Sequence, residues 1–257
     1  MSIETIVFNE SQFTDILIRC WPHSAYEQNN FPHVREIAAP HLYAALLAYS
    51  INTPLRISHF LGQLGHESGR GKYTEELASG RAYEGRRDLG NTQKGDGMKF
   101  KGYGGIQLTG RNNVTRYARF KKRPDLIDDP SQIGLPELAW DSAGWYWRYG
   151  TGSGVDLNRV ADKDDVRLLT RLINGGYNGL ADRTSLTRSA KAVVFSDSAR
   201  IVQAALNVSR LVPELAVDGV FGPRTASAVR DFQSQFFINT SGVVDAKTWN
   251  EMKRFSA

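Results

Sequence analysis

Apolar residues recur at three- and four-residue spacing in several stretches upstream of residue 195. This spacing is typical of an amphipathic α-helix, whereas half-buried strands alternate at every second residue. Between these stretches lies a polar, glycine-rich region over residues 79–110, and loops of that length inside a compact domain are usually functional. The pattern predicts a mainly α protein with helices over Leu42–Tyr49, Thr53–Glu67, Leu138–Tyr149 and Asp165–Ile173.

The helix predicted over Thr53–Glu67 brings a carboxyl group to an apolar face. Thr53 suits the N-cap and Pro54 suits the first helical position. At about 100° per residue, Glu67 lies only about 20° from Phe60 around the helix axis. We therefore expect Glu67 to sit among apolar side chains, in the kind of environment that keeps a carboxylic acid protonated. The apolar residues of that face are Ile57, Phe60, Leu61 and Leu64.

The sequence after Ser198 changes character and predicts a second, smaller unit. Ala190 to Ser198 reads as a helix end, so we place the boundary there and divide the chain into residues 1–194 and 195–257. Asp218-Gly219 indicates a tight turn. No internal repeat is evident. Three short helices are expected, over Ala199–Leu206, Pro223–Phe236 and Asp245–Met252, with a core that contains Phe221, Phe232 and Trp249.

Composition and charge limit the possible functions. The chain has 257 residues, 41% of them hydrophobic, and a net charge of +5, which suits a soluble globular protein attracted to a polyanion. No DNA- or RNA-binding signature accompanies the basic residues, so nucleic acid is not the expected partner. Leu42–Tyr49, the longest apolar stretch, is too short to span a membrane, so no stable membrane insertion is expected. The N-terminal residues do not resemble a secretory signal, so none is expected, and the lone Cys20 permits no internal disulfide; we therefore expect synthesis in a bacterial cytoplasm.

Paired carboxyl groups are the chemistry that the sequence supports best. Hydrolysis of a glycosidic bond needs one protonated carboxyl and one ionised carboxyl group. Glu67 is the candidate acid, and Glu75 or Glu76, next to Lys72 in a polar stretch, is the candidate base. A helical zinc site of the His-Glu-x-x-His type fails because Arg70 occupies the last position. Neither a serine-nucleophile elbow nor a P-loop is present, and we expect no metal or cofactor.

Five ordered blocks over roughly residues 35–190 resemble the phage endolysins of the chitinase-like family 19 glycoside hydrolases. Five blocks in the same order are much more specific than any one of them. Two positions depart from the family pattern: Tyr103 stands where many relatives have Arg, and Val114 where a Tyr is usual. The blocks are residues 65–69, 73–80, 83–91, 104–111 and 173–180.

The resemblance implies a lysozyme-like helical fold and hydrolysis with inversion. Glu67 matches the family's general acid, and Glu76, or Glu75 with a one-residue shift, matches the general base. Thr109 matches the residue that holds the attacking water. Positions expected to contact sugar or support the cleft are Gln107, Asn113, Asn174 and Arg183. The aromatic cluster at residues 140–149 has helical spacing, which favours core packing over stacking on sugars.

The C-terminal residues resemble the three-helix peptidoglycan-binding domain of many wall hydrolases, through the segments 217–225, 228–233 and 242–249. Together the two resemblances predict a monomeric muramidase-type endolysin that acts on bacterial peptidoglycan and is released to the wall by a partner such as a holin. A chitinase, a wall-binding protein without activity and a lytic transglycosylase remain as alternatives. The masses of the reaction products distinguish the muramidase, the chitinase and the lytic transglycosylase.

Overall fold

The computed structural model describes residues 3–255 and confirms a mainly α fold. Within these residues, extended backbone pairs only in isolated bridges. A π-helical turn at Tyr146–Gly150 follows the helix Pro136–Trp145. The helices are α1 Glu10–Cys20, α2 Ala25–Asn30, α3 Val34–Ala48, α4 Pro54–Glu67, α5 Asp96–Lys99, α6 Arg111–Lys121, α7 Asp125–Asp128, α8 Pro136–Trp145, α9 Leu157–Ala161, α10 Val166–Asn174, α11 Leu180–Ser209, α12 Pro223–Gln235 and α13 Ala246–Lys253.

Helix α4 forms the centre of the N-terminal part. Its start is as predicted, because the Thr53 hydroxyl accepts a hydrogen bond from Arg56 N at 3.2 Å and Pro54 follows it. The predicted apolar face is fully buried, and α4 packs along α11. Gly62 allows this close packing, because a Cβ atom at that position would lie 2.8 Å from the Cα atom of Thr187 in α11.

Helix α11 corrects the prediction of a helix end near Ser198. It runs without a break for 30 residues, so the boundary placed between residues 194 and 195 falls inside one helix. Two features explain the continuity. Buried Val194 and Ala199 continue the apolar stripe across the polar cluster, and Asp197 forms an ion pair with Arg19 of α1. The Ser/Asp cluster therefore packs against α1 and does not end the helix.

The C-terminal part consists of the end of α11 together with α12 and α13. Phe232 is fully buried as predicted, whereas Phe221 and Trp249 are only partly buried against the core. The predicted turn is confirmed: Asp218 Oδ1 accepts a hydrogen bond from Val220 N at 2.8 Å, and the intervening glycine has φ +80°.

The C-terminal part also contains an internal repeat that sequence analysis missed. A buried glutamine in α11 and another in α12 each bind the turn that follows them in the same way. Each amide oxygen accepts from a glycine N–H, and each amide nitrogen donates to a backbone carbonyl and a threonine hydroxyl. For Gln203 the partners are Gly219, Val220 and Thr225, and for Gln233 they are Gly242, Val243 and Thr248.

The N-terminal segment joins the two parts of the molecule. Ile3 forms a parallel bridge with Val244, and Glu4 N donates to Val244 O at 2.9 Å. The start of the chain is therefore held against the turn before α13. None of the helices within residues 3–255 is long and apolar enough to cross a membrane.

Candidate active site

Glu67, at the last position of α4, is paired with a buried arginine. Its Oε1 accepts a hydrogen bond from Arg183 Nη2 at 2.6 Å, and the two side chains are 15% and 1% exposed. Arg183 also donates to Gln63 Oε1 at 2.7 Å and to Asn178 O at 3.2 Å. The apolar face on which Glu67 was expected therefore also brings it a charged partner. The guanidinium holds one carboxyl oxygen in place and leaves the other without this partner.

The neighbouring residue repeats this contact between α4 and α11. His66 Nδ1 lies 2.7 Å from Asp182 Oδ2, and Gly179 packs against the imidazole ring. Two consecutive residues at the end of α4 thus bind two consecutive residues at the start of α11. This double contact fixes the direction in which the Glu67 side chain leaves the helix.

Tyr146 is a further neighbour of Glu67, and sequence analysis assigned it to the core. Burial raises the pKa of its hydroxyl, and the negative charge of Glu67 raises it further. Tyr146 opens the π-helical turn after α8, and π-turns are frequent at functional sites. Core packing is confirmed for the other large rings of this cluster, Trp140, Trp145 and Trp147, whereas Tyr149 is half exposed.

Glu76 lies on a short bridged segment and is held through both carboxyl oxygens. Oε1 accepts a hydrogen bond from the Tyr83 hydroxyl and Oε2 accepts one from Gly102 N, each at 2.9 Å. Burial raises the pKa of Tyr83, and the bond to Glu76 raises it further, so the phenol remains a donor at neutral pH. Glu76 is therefore positioned as an acceptor, the role that a general base needs.

Glu75 points elsewhere and is more exposed. Its side chain is 54% exposed and pairs with Lys101 at 2.8 Å. The Lys101 ammonium also donates to the backbone oxygen of Glu76 at 3.0 Å. Lys72, which lies near both acids in the sequence, pairs with neither of them, because it forms an ion pair with Glu27 of α2. These contacts favour Glu76 over Glu75.

Three of the predicted site residues form a hydrogen-bonded turn beside Glu76. The Thr109 hydroxyl donates to Gln107 O at 2.8 Å, and Asn113 Nδ2 donates to Thr109 O at 2.9 Å. Gln107 adopts φ +55°, a strained conformation for a residue other than glycine. A Cβ atom on Gly102 would lie 2.7 Å from Gln107 Oε1 and 3.3 Å from Glu76 Oε2, so both side chains flank this glycine.

The predicted site residues therefore form two groups in the structure, and Asn174 belongs to neither of them. Arg183 contacts Glu67 directly, and the turn of residues 107–113 lies beside Glu76. Asn174 is exposed at the end of α10, before the loop that carries Gly179. Between the two groups the chain turns sharply, with positive φ at residues 69, 70 and 71.

Comparison with known proteins adds family relationships to this geometry. A family 19 glycosyl hydrolase domain-containing protein of Haemophilus influenzae is 36% identical over 115 residues, which are 44% of this chain and 52% of that protein. An endochitinase of Arabidopsis thaliana is 31% identical over 121 residues, 47% of this chain and 39% of that protein. The chain thus spans about half or less of the length of these relatives.

Solved structures show the same fold. A bacterial family 19 chitinase superimposes with a TM-score of 0.56 at 20% identity, covering 74% of this chain and 95% of that one. A class IV family 19 chitinase from Zea mays gives a TM-score of 0.53 at 21% identity, covering 73% and 92%. The N-terminal part has the family 19 glycosyl hydrolase fold.

Residues 196–252 of this protein match the family described as "Putative peptidoglycan binding domain". Both resemblances predicted from the sequence are therefore confirmed. Tyr103, the departure from the family pattern, is buried and pairs with Glu75 and Leu108 in the bridges of the site. Among residues 3–255, no group of three or more His, Cys, Asp and Glu side chains is placed to hold a metal ion.

Proposed function

We propose that this protein is an endolysin-type glycosidase that hydrolyses the glycan strands of bacterial peptidoglycan. The observation that carries the proposal is the different anchoring of two carboxyl groups, Glu67 through one oxygen and Glu76 through both. The fold of the family 19 chitinases supports glycoside hydrolysis, and the match over residues 196–252 supports a wall substrate.

In the proposed reaction, Glu67 is the general acid. Arg183 holds Oε1, so Oε2 is the oxygen available to donate a proton to the oxygen of the breaking glycosidic bond. Glu76 accepts a proton from the attacking water, which enters from the opposite face of the sugar and inverts the anomeric carbon. Inversion requires the two carboxyl groups to be roughly 6.5–9.5 Å apart, which leaves room for that water.

The remaining predicted residues support this reaction. The lone pairs of the Thr109 hydroxyl can accept a hydrogen bond from the water, since its proton is directed to Gln107 O. Gln107, Asn113 and Asn174 are proposed to contact the sugar chain. We further propose that the protein acts as a monomer on N-acetylmuramic acid linkages. It would be made in the host cytoplasm and reach the wall through a holin lesion.

Chitin is the second candidate substrate, because curated relatives of this chain are named endochitinases. Chitin contains N-acetylglucosamine, which peptidoglycan also contains, so the catalytic part alone is compatible with either polymer. The C-terminal match favours peptidoglycan.

The test is mass spectrometry of products from purified peptidoglycan and from chitin. We expect peptidoglycan fragments that each gain one water, and a loss of about 10²–10⁴-fold in rate for Glu67→Gln and for Glu76→Gln. Glu75→Gln is the matched control and should retain nearly full activity, because Glu75 is exposed and paired with Lys101.

Three other results would change this assignment. Anhydro products that persist in Glu76→Gln would indicate a lytic transglycosylase. Release of fragments from chitin alone would indicate a chitinase. Unchanged activity of Glu67→Gln would refute the proposed acid.

A further inference from the structure

A groove lies where the two parts of the molecule meet, away from Glu67 and Glu76. Its volume is about 750 Å³. One wall comes from the N-terminal segment over residues 5–12 and from α3, and the other comes from the end of α11 and from α13. The groove therefore exists only in the assembled molecule.

The apolar surface of the groove is unusually exposed. Leu47 of α3 and Val208 of α11 are 58% and 54% exposed on opposite walls. Trp249 of α13, which was expected in the core, is only partly buried and lines the groove. A partly accessible aromatic residue flanked by aliphatic side chains suits the apolar face of a pyranose and the methyl group of an acetamido substituent.

Three side-chain amides that line the groove have their oxygen atoms engaged within the protein. Asn9 Oδ1 and Gln12 Oε1 accept backbone N–H groups in the capping box of α1, and Asn52 Oδ1 accepts Arg56 Nη1. These contacts leave the three amide nitrogens free to donate to a ligand.

The charge of the residues that line the groove also indicates which class of ligand it can bind. Of the described residues that line the groove, none is Asp or Glu, and the single charged one is Lys253 of α13. A lining of amide donors and one ammonium group favours a ligand rich in acceptors and carrying carboxylates. Acetamido carbonyls and peptide carboxylates supply both.

We infer that this groove binds a second stretch of wall glycan, as amino sugars that carry stem-peptide carboxylates. The assignment rests on the proposed function for the identity of the polymer. It places wall binding on both parts of the chain, because ten of the sixteen lining residues lie before position 53 and six lie after position 200. The C-terminal part alone would form only one wall.

The test compares the binding of full-length variants to purified sacculi by co-sedimentation. All variants carry Glu67→Gln, so that the polymer stays intact. Leu47→Asp places a carboxylate in the donor-lined groove at an exposed position, and we expect Kd to rise about tenfold. Phe237→Asp is the matched control, since Phe237 is 96% exposed in the C-terminal part and does not line the groove. Its Kd should stay within about twofold of the parent.

Competition with soluble probes tests the ligand class. A muropeptide that carries carboxylates should displace sacculi at lower concentration than a neutral chitin oligosaccharide, and Lys253→Gln should reduce that difference. Equal competition by the two probes overturns the carboxylate part of the inference. Unchanged binding by Leu47→Asp, or equal weakening by Phe237→Asp, overturns the site.

The outcome is separable from that of the proposed function. Hydrolysis of a short soluble oligosaccharide is measured with Glu67 intact, and Leu47→Asp should cleave it at the rate of the unmodified chain. If the unmodified chain cleaves no glycan but Leu47→Asp still weakens binding, the proposed function fails and the groove assignment stands. If cleavage is normal and Leu47→Asp binds normally, the groove assignment fails alone.

Discussion

Replacement of Arg183 by Met should destabilise the protein and disable the candidate acid together. The substitution keeps a long side chain in a position that is 1% exposed but removes the partner of Glu67. It also removes the donor to Gln63 Oε1 and Asn178 O. Breaking a buried ion pair from one side costs about 3–5 kcal/mol, because the remaining charge has no partner.

The expected size of the effect follows from exposure. Glu67 is 15% exposed and can recover some hydration, so we expect about 3 kcal/mol, at the lower end of that range. For a chain of this length, such a loss lowers the unfolding temperature by roughly 6–12 °C. Thermal unfolding followed by circular dichroism at neutral pH measures it directly.

A double-mutant cycle identifies the pair as the cause. When Glu67→Gln is added to Arg183→Met, no unpaired carboxylate remains, so the double variant should be more stable than the sum of the single losses predicts. Strict additivity would refute the ion-pair argument. So would an Arg183→Met variant that melts within about 2 °C of the unmodified chain.

Three further predictions concern other contacts. Gly62→Ala should destabilise by about 1–3 kcal/mol in thermal melts, because its new Cβ would meet the backbone of α11. Tyr83→Phe removes one hydrogen bond to Glu76 and should lower kcat about tenfold with an unchanged fold. Burial lowers the pKa of His59, although its hydrogen bond to Asp164 opposes this. The native state thus holds His59 neutral while the unfolded chain binds a proton, so the unfolding free energy should fall as pH drops below about 6.5. His59→Gln should show a flatter pH dependence in denaturant titrations.

Each of these predictions has a result that contradicts it. A Gly62→Ala variant as stable as the unmodified chain would mean that α4 and α11 can move apart at no cost. A normal kcat for Tyr83→Phe would mean that the Gly102 amide alone positions Glu76. If the unfolding free energy of His59→Gln depended on pH as strongly as that of the unmodified chain, other titrating groups would be responsible for that dependence.

Local signals were sufficient to predict the central helix and the position of Glu67 at its end. Thr53 and Pro54 define the start of α4, and the heptad relation between Phe60 and Glu67 places the carboxyl group at the edge of its apolar face. Each signal lies within a few residues of the feature it predicts, and the structure agrees with them.

Contacts between distant residues were not predictable in this way. Glu67 and Arg183 are 116 positions apart, so the periodicity of α4 could not reveal that its carboxyl group meets a guanidinium. The break predicted at Ser198 was wrong for the same reason, because Arg19 of α1 is the partner that Asp197 needs. The glutamine repeat was missed because the separation between the glutamine and the glycine that it binds differs, with 16 positions in one copy and 9 in the other.

The unbroken course of α11 changes how attachment to a surface would affect catalysis. At 1.5 Å per residue its 30 residues span about 45 Å, and the bridge between Ile3 and Val244 closes the other side. If a flexible linker joined the two parts, the catalytic part of an attached enzyme could reach bonds throughout a volume around the point of attachment. A continuous helix transmits orientation, so under the proposed function an attached molecule would reach only bonds at one fixed distance and angle, and it would have to detach before it could cleave the next.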